Sequence, residues 1–124
     1  MLNNEAAELE EQRKNAVELV GRRDMALKLS SNREFRKLIL EDYCVIDAAR
    51  LVGLSTDPSL TLEQRADSLA MAQGPGFLRR FLSMMVVMGN NASKEVGQID
   101  DALNEIRAAD LDDAAAESTV EVLN

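Results

Sequence analysis

Ala92-Ser93-Lys94-Glu95-Val96-Gly97-Gln98-Ile99-Asp100-Asp101-Ala102-Leu103-Asn104-Glu105-Ile106 is the stretch that decides the fold class. Its apolar residues Ala92, Val96, Ile99, Leu103 and Ile106 fall four, three, four and three apart, the period that keeps one side of a helix against a partner helix. A strand would alternate instead. The spacing predicts a helix over about 92–109 with a coiled-coil type of seam, and two heptads are too few for a long coiled coil.

Working upstream, Gly89-Asn90-Asn91 reads as a helix C-cap and loop, with a single helix bent at Gly89 as the alternative. The helix before it, over about 76–89, carries Phe77, Leu78, Phe81, Leu82, Met85 and Met88. Met84-Met85-Val86-Val87-Met88 is apolar all the way around a turn, so part of it stays uncovered in a short chain unless other helices enclose it or another chain covers it. Gln73-Gly74-Pro75-Gly76 breaks or sharply kinks the helix ahead of it, and Pro75 suits a first turn. That preceding helix, over about 61–73, opens on a capping box of Thr61 and Gln64.

Ser55-Thr56-Asp57-Pro58-Ser59 is a turn, because Pro58 fixes its own φ and disfavours helix at Asp57. Another capping box, Ser31 with Glu34, starts a helix over about 31–54. Its apolar residues make two faces, Phe35, Leu38, Ile39, Ile46 and Ala49 on one and Leu40, Tyr43, Cys44, Leu51 and Leu54 on the next, which places it at the centre of the core. Residues 1–29 form a helical arm with a narrow stripe of Leu2, Ala6, Leu9, Ala16, Val17, Val20 and Leu27, crossed by Arg13 and Asp24. Residues 30–109 are the helical core. Residues 110–124 hold five acids and no Lys or Arg, a composition expected to be flexible unless bound. The fold class expected is all-α: a small bundle or helical hairpin of four to five helices, with an N-terminal arm and an acidic tail.

Composition agrees with helices. Aromatic residues make up 3% with no Trp, so 124 residues must build one modest core from Leu, Val, Ile, Ala and six Met. Fourteen basic against 22 acidic residues give a net charge of −8 and a pI near 4.5, which opposes binding to a phosphate backbone or an anionic membrane. The single cysteine, Cys44, forms no internal disulfide, and its neighbours suggest a small packed hydrophobe. The first residues lack the pattern of a secretory leader, which leads to the expectation of a protein that is not secreted by a signal peptide.

There is no histidine, which removes the commonest general base and transition-metal ligand. Pairs such as Glu41 with Asp42, or Asp100 with Glu105, are common on acidic helices and read as solvated faces. Gly74-Pro75-Gly76 lacks the spaced glycines and following Lys of a phosphate loop. Asp47–Ser55 superficially resembles the start of a helix-turn-helix, but Pro58 intervenes and the next helix carries Glu63 and Asp67, so no direct nucleic-acid contact is expected. Basic residues cluster at Arg33, Arg36 and Lys37 and at Arg79 and Arg80, either as solvated charge or as docking points for an acidic surface. The expectation is therefore a non-enzyme without catalytic residues, metal or cofactor. Its candidate partner interface is Phe77, Phe81, Met84, Met85, Met88, Arg79, Arg80, Val96, Ile99, Leu103 and Ile106.

The order of segments Phe35-Arg36-Lys37-Leu38-Ile39-Leu40-Glu41-Asp42-Tyr43, Ala48-Ala49-Arg50-Leu51, the Asp57-Pro58 turn and Phe77-Leu78-Arg79-Arg80-Phe81-Leu82 resembles small helical structural or accessory proteins of tailed bacteriophages. The likeness covers somewhat under half the chain and lies in the rhythm of segments. It implies a virion or morphogenesis component, located in the virion or the host cytoplasm, whose partners are other protein chains in a homo-oligomer or a larger phage assembly. A small acidic intracellular regulator or inhibitor that binds a basic protein surface, as a nucleic-acid mimic would, is the alternative that the charge suggests.

Overall fold

The computed structural model describes residues 2–123, with side chains over residues 4–118. Every regular element among the described residues is helical. In chain order these are α1 (Leu2–Ser31), α2 (Arg33–Phe35), a π-helical stretch (Arg36–Asp47), α3 (Ala48–Ser55), α4 (Leu62–Ala72) and α5 (Gly74–Leu123). The chain divides into two compact units: one joins α1 up to Gly21 with α5 from Met88 onward, and the other spans Arg22–Val87.

The first unit is a pair of helical segments. Along α5 its inward side is Gly89, Ala92, Ile99 and Leu103, all buried, with Val96 and Ile106 half-buried between and beyond them. The expected break at Gly89-Asn90-Asn91, and hence separate helices over 76–89 and 92–109, is absent. Gly89 instead continues the four-and-three spacing into Ala92, and no described residue adopts the positive φ that a left-handed cap needs. On α1 the inward residues are Ala6, Leu9, Arg13, Ala16, Leu19 and Val20, and Ala16, like Ala92, is only 2% exposed. Arg13 sits within this stripe because its Nε donates to Asp100 Oδ1 at 2.8 Å, so a cation on the inner side of α1 meets an anion on α5. The same bond holds the Arg13 guanidinium protonated even more firmly than usual. Residues 110–123, expected as a separate tail, prolong α5, and every side chain from Arg107 to Ser118 is exposed.

Within the second unit, α2 begins at a cap that the sequence placed one residue early. Asn32, with extended backbone at φ −70° and ψ 128°, accepts the Phe35 N–H at 2.9 Å. Ser31 belongs to α1, and its hydroxyl donates to the Lys28 carbonyl, which leaves it no part in capping. The arm and the next helix are therefore separated at Asn32.

The largest departure is the π-helical stretch, where a continuous α-helix over 31–54 was expected. Backbone bonds from i to i+5 widen the helix and shift which residues share a side. Lys37 shows the change: its Nζ reaches Glu41 Oε1 and Asp42 Oδ1, four and five residues on, at 3.3 Å each. An α-helix brings i+3 and i+4 together but turns i+5 away. The bonds to Asp42 and then Glu41 raise the affinity of Lys37 for its proton. The two apolar faces drawn at α-helical spacing are consequently dispersed, and no residue of the stretch is buried. It is not the centre of the core.

That place falls to α3, whose Leu51 is 4% exposed, together with Ala26, Pro75 and Met85. α3 packs against α4. Their turn is held by Asp57, whose Oδ1 accepts from Ser59 N at 2.9 Å and Ser59 Oγ at 2.7 Å, while Arg65 Nε donates to the Asp57 carbonyl at 2.7 Å. These bonds, the backbone one first, depress the Asp57 pKa. α4 opens on the expected box, with Thr61 Oγ1 accepting from Gln64 N and Gln64 Oε1 accepting from Thr61 N. It ends at Gln73, after which Gly74 and Pro75 start α5, as the sequence indicates.

Candidate protein-docking surface

The first fourteen residues of α5 present two different sides to their surroundings. Leu78, Leu82 and Met85 turn inward, the first two half-buried and Met85 buried. One position away, Phe77, Phe81 and Met84 repeat the same four-and-three spacing but are 63%, 56% and 49% exposed. On an α-helix that offset rotates the second stripe by about a quarter turn from the first, so the side that packs and the side that does not are distinct. Val87, at 57% exposed, widens the outer stripe, and Met88, the first α5 residue of the other unit, is 38% exposed.

The expected interface thus divides into groups. Phe77, Phe81, Met84 and Met88 lie open. Met85 is used inside the second unit, and Ile99 and Leu103, with half-buried Val96 and Ile106, are used inside the first, so they are removed from the free surface. Arg79 has a structural task, since its Nη2 donates to the Leu40 carbonyl at 3.1 Å and supplies the π-helical stretch with a donor from α5. Arg80 is exposed beside Phe81 and Met84.

Other open apolar residues escaped the sequence reading because they sit on the π-helical stretch. Leu38 and Ile46, with Asp42, Tyr43, Asp47 and Arg50, line a shallow, mostly apolar groove. Asp47 and Arg50 close one side of it through an ion pair of 2.9 Å. At helical spacing Leu38 and Ile46 count as core; the wider turn leaves both exposed. Nearby, Arg33, Arg36 and Lys37 line another open groove with Leu40, Glu41 and Val45.

For residues 22–87 this amounts to a thin interior. No large side chain among the described residues is fully buried, while Leu38, Val45, Ile46, Val52, Phe77 and Phe81 are all exposed. A unit of this size buries barely enough surface to be stable even with a well-filled core. Covering apolar side chains from outside would add to its stability.

Among the described residues no group of three or more Cys, Asp or Glu side chains stands close enough to hold a metal ion, and no helix is long and apolar enough to cross a membrane. Cys44 is half-buried in the π-helical stretch. No family model, curated protein or solved structure matches the chain.

Proposed function

We propose that this chain is a non-enzymatic structural or assembly protein, a virion or morphogenesis component of a tailed bacteriophage, that works by laying helical surfaces on other protein chains. The observation that carries the reading is the open stripe of Phe77, Phe81 and Met84 beside the packed side of the same helix. Burying three such half-exposed side chains contributes on the order of 3–4 kcal/mol. Association itself costs about 4–15 kcal/mol, so the stripe serves as an anchor inside a wider interface. The exposed Leu38 and Ile46 are further apolar surface available to such a contact. The phage setting rests on the resemblance in segment order, and it places the protein in the virion or the host cytoplasm.

The test is light scattering of the purified chain beside Phe77→Glu/Phe81→Glu. At high salt the expected result is an oligomer that the double substitution reduces to monomer with helical content retained. A wild-type chain that stays monomeric and fails to co-purify with virion proteins sinks the reading.

The second reading is an acidic regulator that occupies a basic protein surface, supported by the uninterrupted exposure of Arg107–Ser118 with four acids and no cation after Arg107. Deleting residues 110–124 separates the two: a regulator loses its target, whereas an assembly subunit still associates at high salt through the Phe77–Met84 stripe of α5.

A further inference from the structure

The final turns of α5 and the groove beside the π-helical stretch are complementary in chemistry. Asp110, Asp113 and Glu117 recur three and four residues apart and so share one side of α5, with Leu111 and Ala114 on the adjoining side. Leu111 is 71% exposed, and the side chains from Arg107 to Ser118 are all exposed. Like charges at this spacing repel one another, so this segment stands to gain from a cationic, partly apolar cover.

The second unit offers such a cover. Arg33 and Arg36 line an open groove with Lys37, Leu40, Glu41 and Val45, in which Lys37 is paired with Glu41. Among the described residues neither guanidinium forms a hydrogen bond or an ion pair, in contrast to Lys37, which is held by Glu41 and Asp42. Two unpaired planar cations beside two aliphatic side chains match a helix that shows carboxylates on one side and a leucine on the next.

We propose that the acidic end of α5 in one copy docks into the Arg33–Arg36 groove of a second copy, with Leu111 against Leu40 and Val45. The two surfaces differ, so two copies exchange them reciprocally in a closed dimer, or each copy gives its helix end to one neighbour and its groove to another in rings or open chains. The inference deepens the assembly reading by naming the partner as another copy of this chain, and it uses a surface separate from the Phe77–Met84 stripe.

Sedimentation velocity of the full-length chain over a range of concentrations, at about 0.05 M and about 1 M salt, tests it, because screening shortens to a few ångströms at the higher value. The expected result is concentration-dependent growth at low salt that is lost at high salt. Arg33→Glu/Arg36→Glu and Asp110→Lys/Asp113→Lys should each weaken that growth about tenfold or more, and an equimolar mixture of the two variants should recover pairing between complementary copies. Growth that survives either charge reversal overturns the proposal. So does a salt effect independent of concentration, which would put the contact within one chain, or an Arg33→Glu/Arg36→Glu variant that loses only binding to a DNA oligonucleotide. Phe77→Glu/Phe81→Glu should leave the salt-dependent step in place, so failure of the stripe and failure of the groove are read separately.

Discussion

The Tyr43 hydroxyl fills the space beside Gly74: a β-carbon on that glycine would lie 2.9 Å from Oη, closer than such atoms come in folded proteins. Glycine at the start of α5 thus allows the π-helical stretch to lean its tyrosine against the helix that follows α4. A methyl at Gly74 must push the phenol away. Tyr43 is the only tyrosine and there is no Trp, so its fluorescence reports this joint alone. Gly74→Ala should change that emission. In a Tyr43→Phe background the same substitution should be better tolerated by roughly 0.5 kcal/mol or more, measured as non-additivity in denaturant unfolding.

Leu51 is the most buried large side chain of the second unit. Leu51→Ala should cost about 2–5 kcal/mol, a large share of the stability of a small unit. Hydrogen exchange should show Ala48–Ala72 losing protection while Ala92–Ile106 keeps it. Equal loss in both regions would show that the two units unfold as one.

Ala92 is nearly inaccessible on the packed side of α5. Ala92→Leu should overfill that side and cost about 1–3 kcal/mol. Leu111→Ala, on an exposed position, should leave the melting temperature of the monomer within a degree or two, because surface changes fall within about 0.5 kcal/mol. Thermal unfolding of the two variants at high salt makes the comparison.

Asp57 has a depressed pKa, caused first by the Ser59 N–H bond and then by the Ser59 hydroxyl. Its carboxylate therefore stabilises the α3–α4 turn above the ordinary aspartate pKa of about 3.9 and releases that stability as pH falls through the lower folded value. Acid titration followed by NMR at Ser59 should show the turn loosening below that range. Asp57→Asn should flatten this part of the profile.

Amide exchange should be faster across Arg36–Asp47 than across Ala48–Ser55. The π-helical segment buries none of its residues, whereas α3 buries Leu51 and packs on α4. Equal protection would mean that the π-helical bonds hold as firmly as those of α3.

Local signals in the sequence carried much of the helical architecture. The Thr61 and Gln64 box, the break before Pro75 and the spacing from Ala92 to Ile106 each depend on a few neighbouring residues, and each recurs in the structure. Ser31 misled because residue type does not tell where a hydroxyl is spent, and Asn32 one residue later had the better geometry. Gly89 was read either as a stop or as a bend within one helix; it continues the series between Met85 and Ala92 in a single helix, because the longer pattern outweighs the single glycine. Exposure of Leu38 and Ile46 was illegible, because an i-to-i+5 register has no mark in a pattern read at 3.6 residues per turn. On the candidate surface, Phe77, Phe81 and Met84 were legible as apolar and were named as interface candidates. What could not be read was which of the neighbouring apolar residues the fold would use itself.

The π-helical stretch also bears on how this gene can change. Bonds from i to i+5 hold more residues in each turn than bonds from i to i+4. Removing a single codon between positions 36 and 47 lets the coil tighten by one step and still hand the chain to α3 in nearly the same direction. Deletion in α3 has no such slack, and there it would swing Leu51 out of the interior. Loss of one amino acid, ordinarily among the harshest lesions for a helix, should find its mildest outcome in this segment.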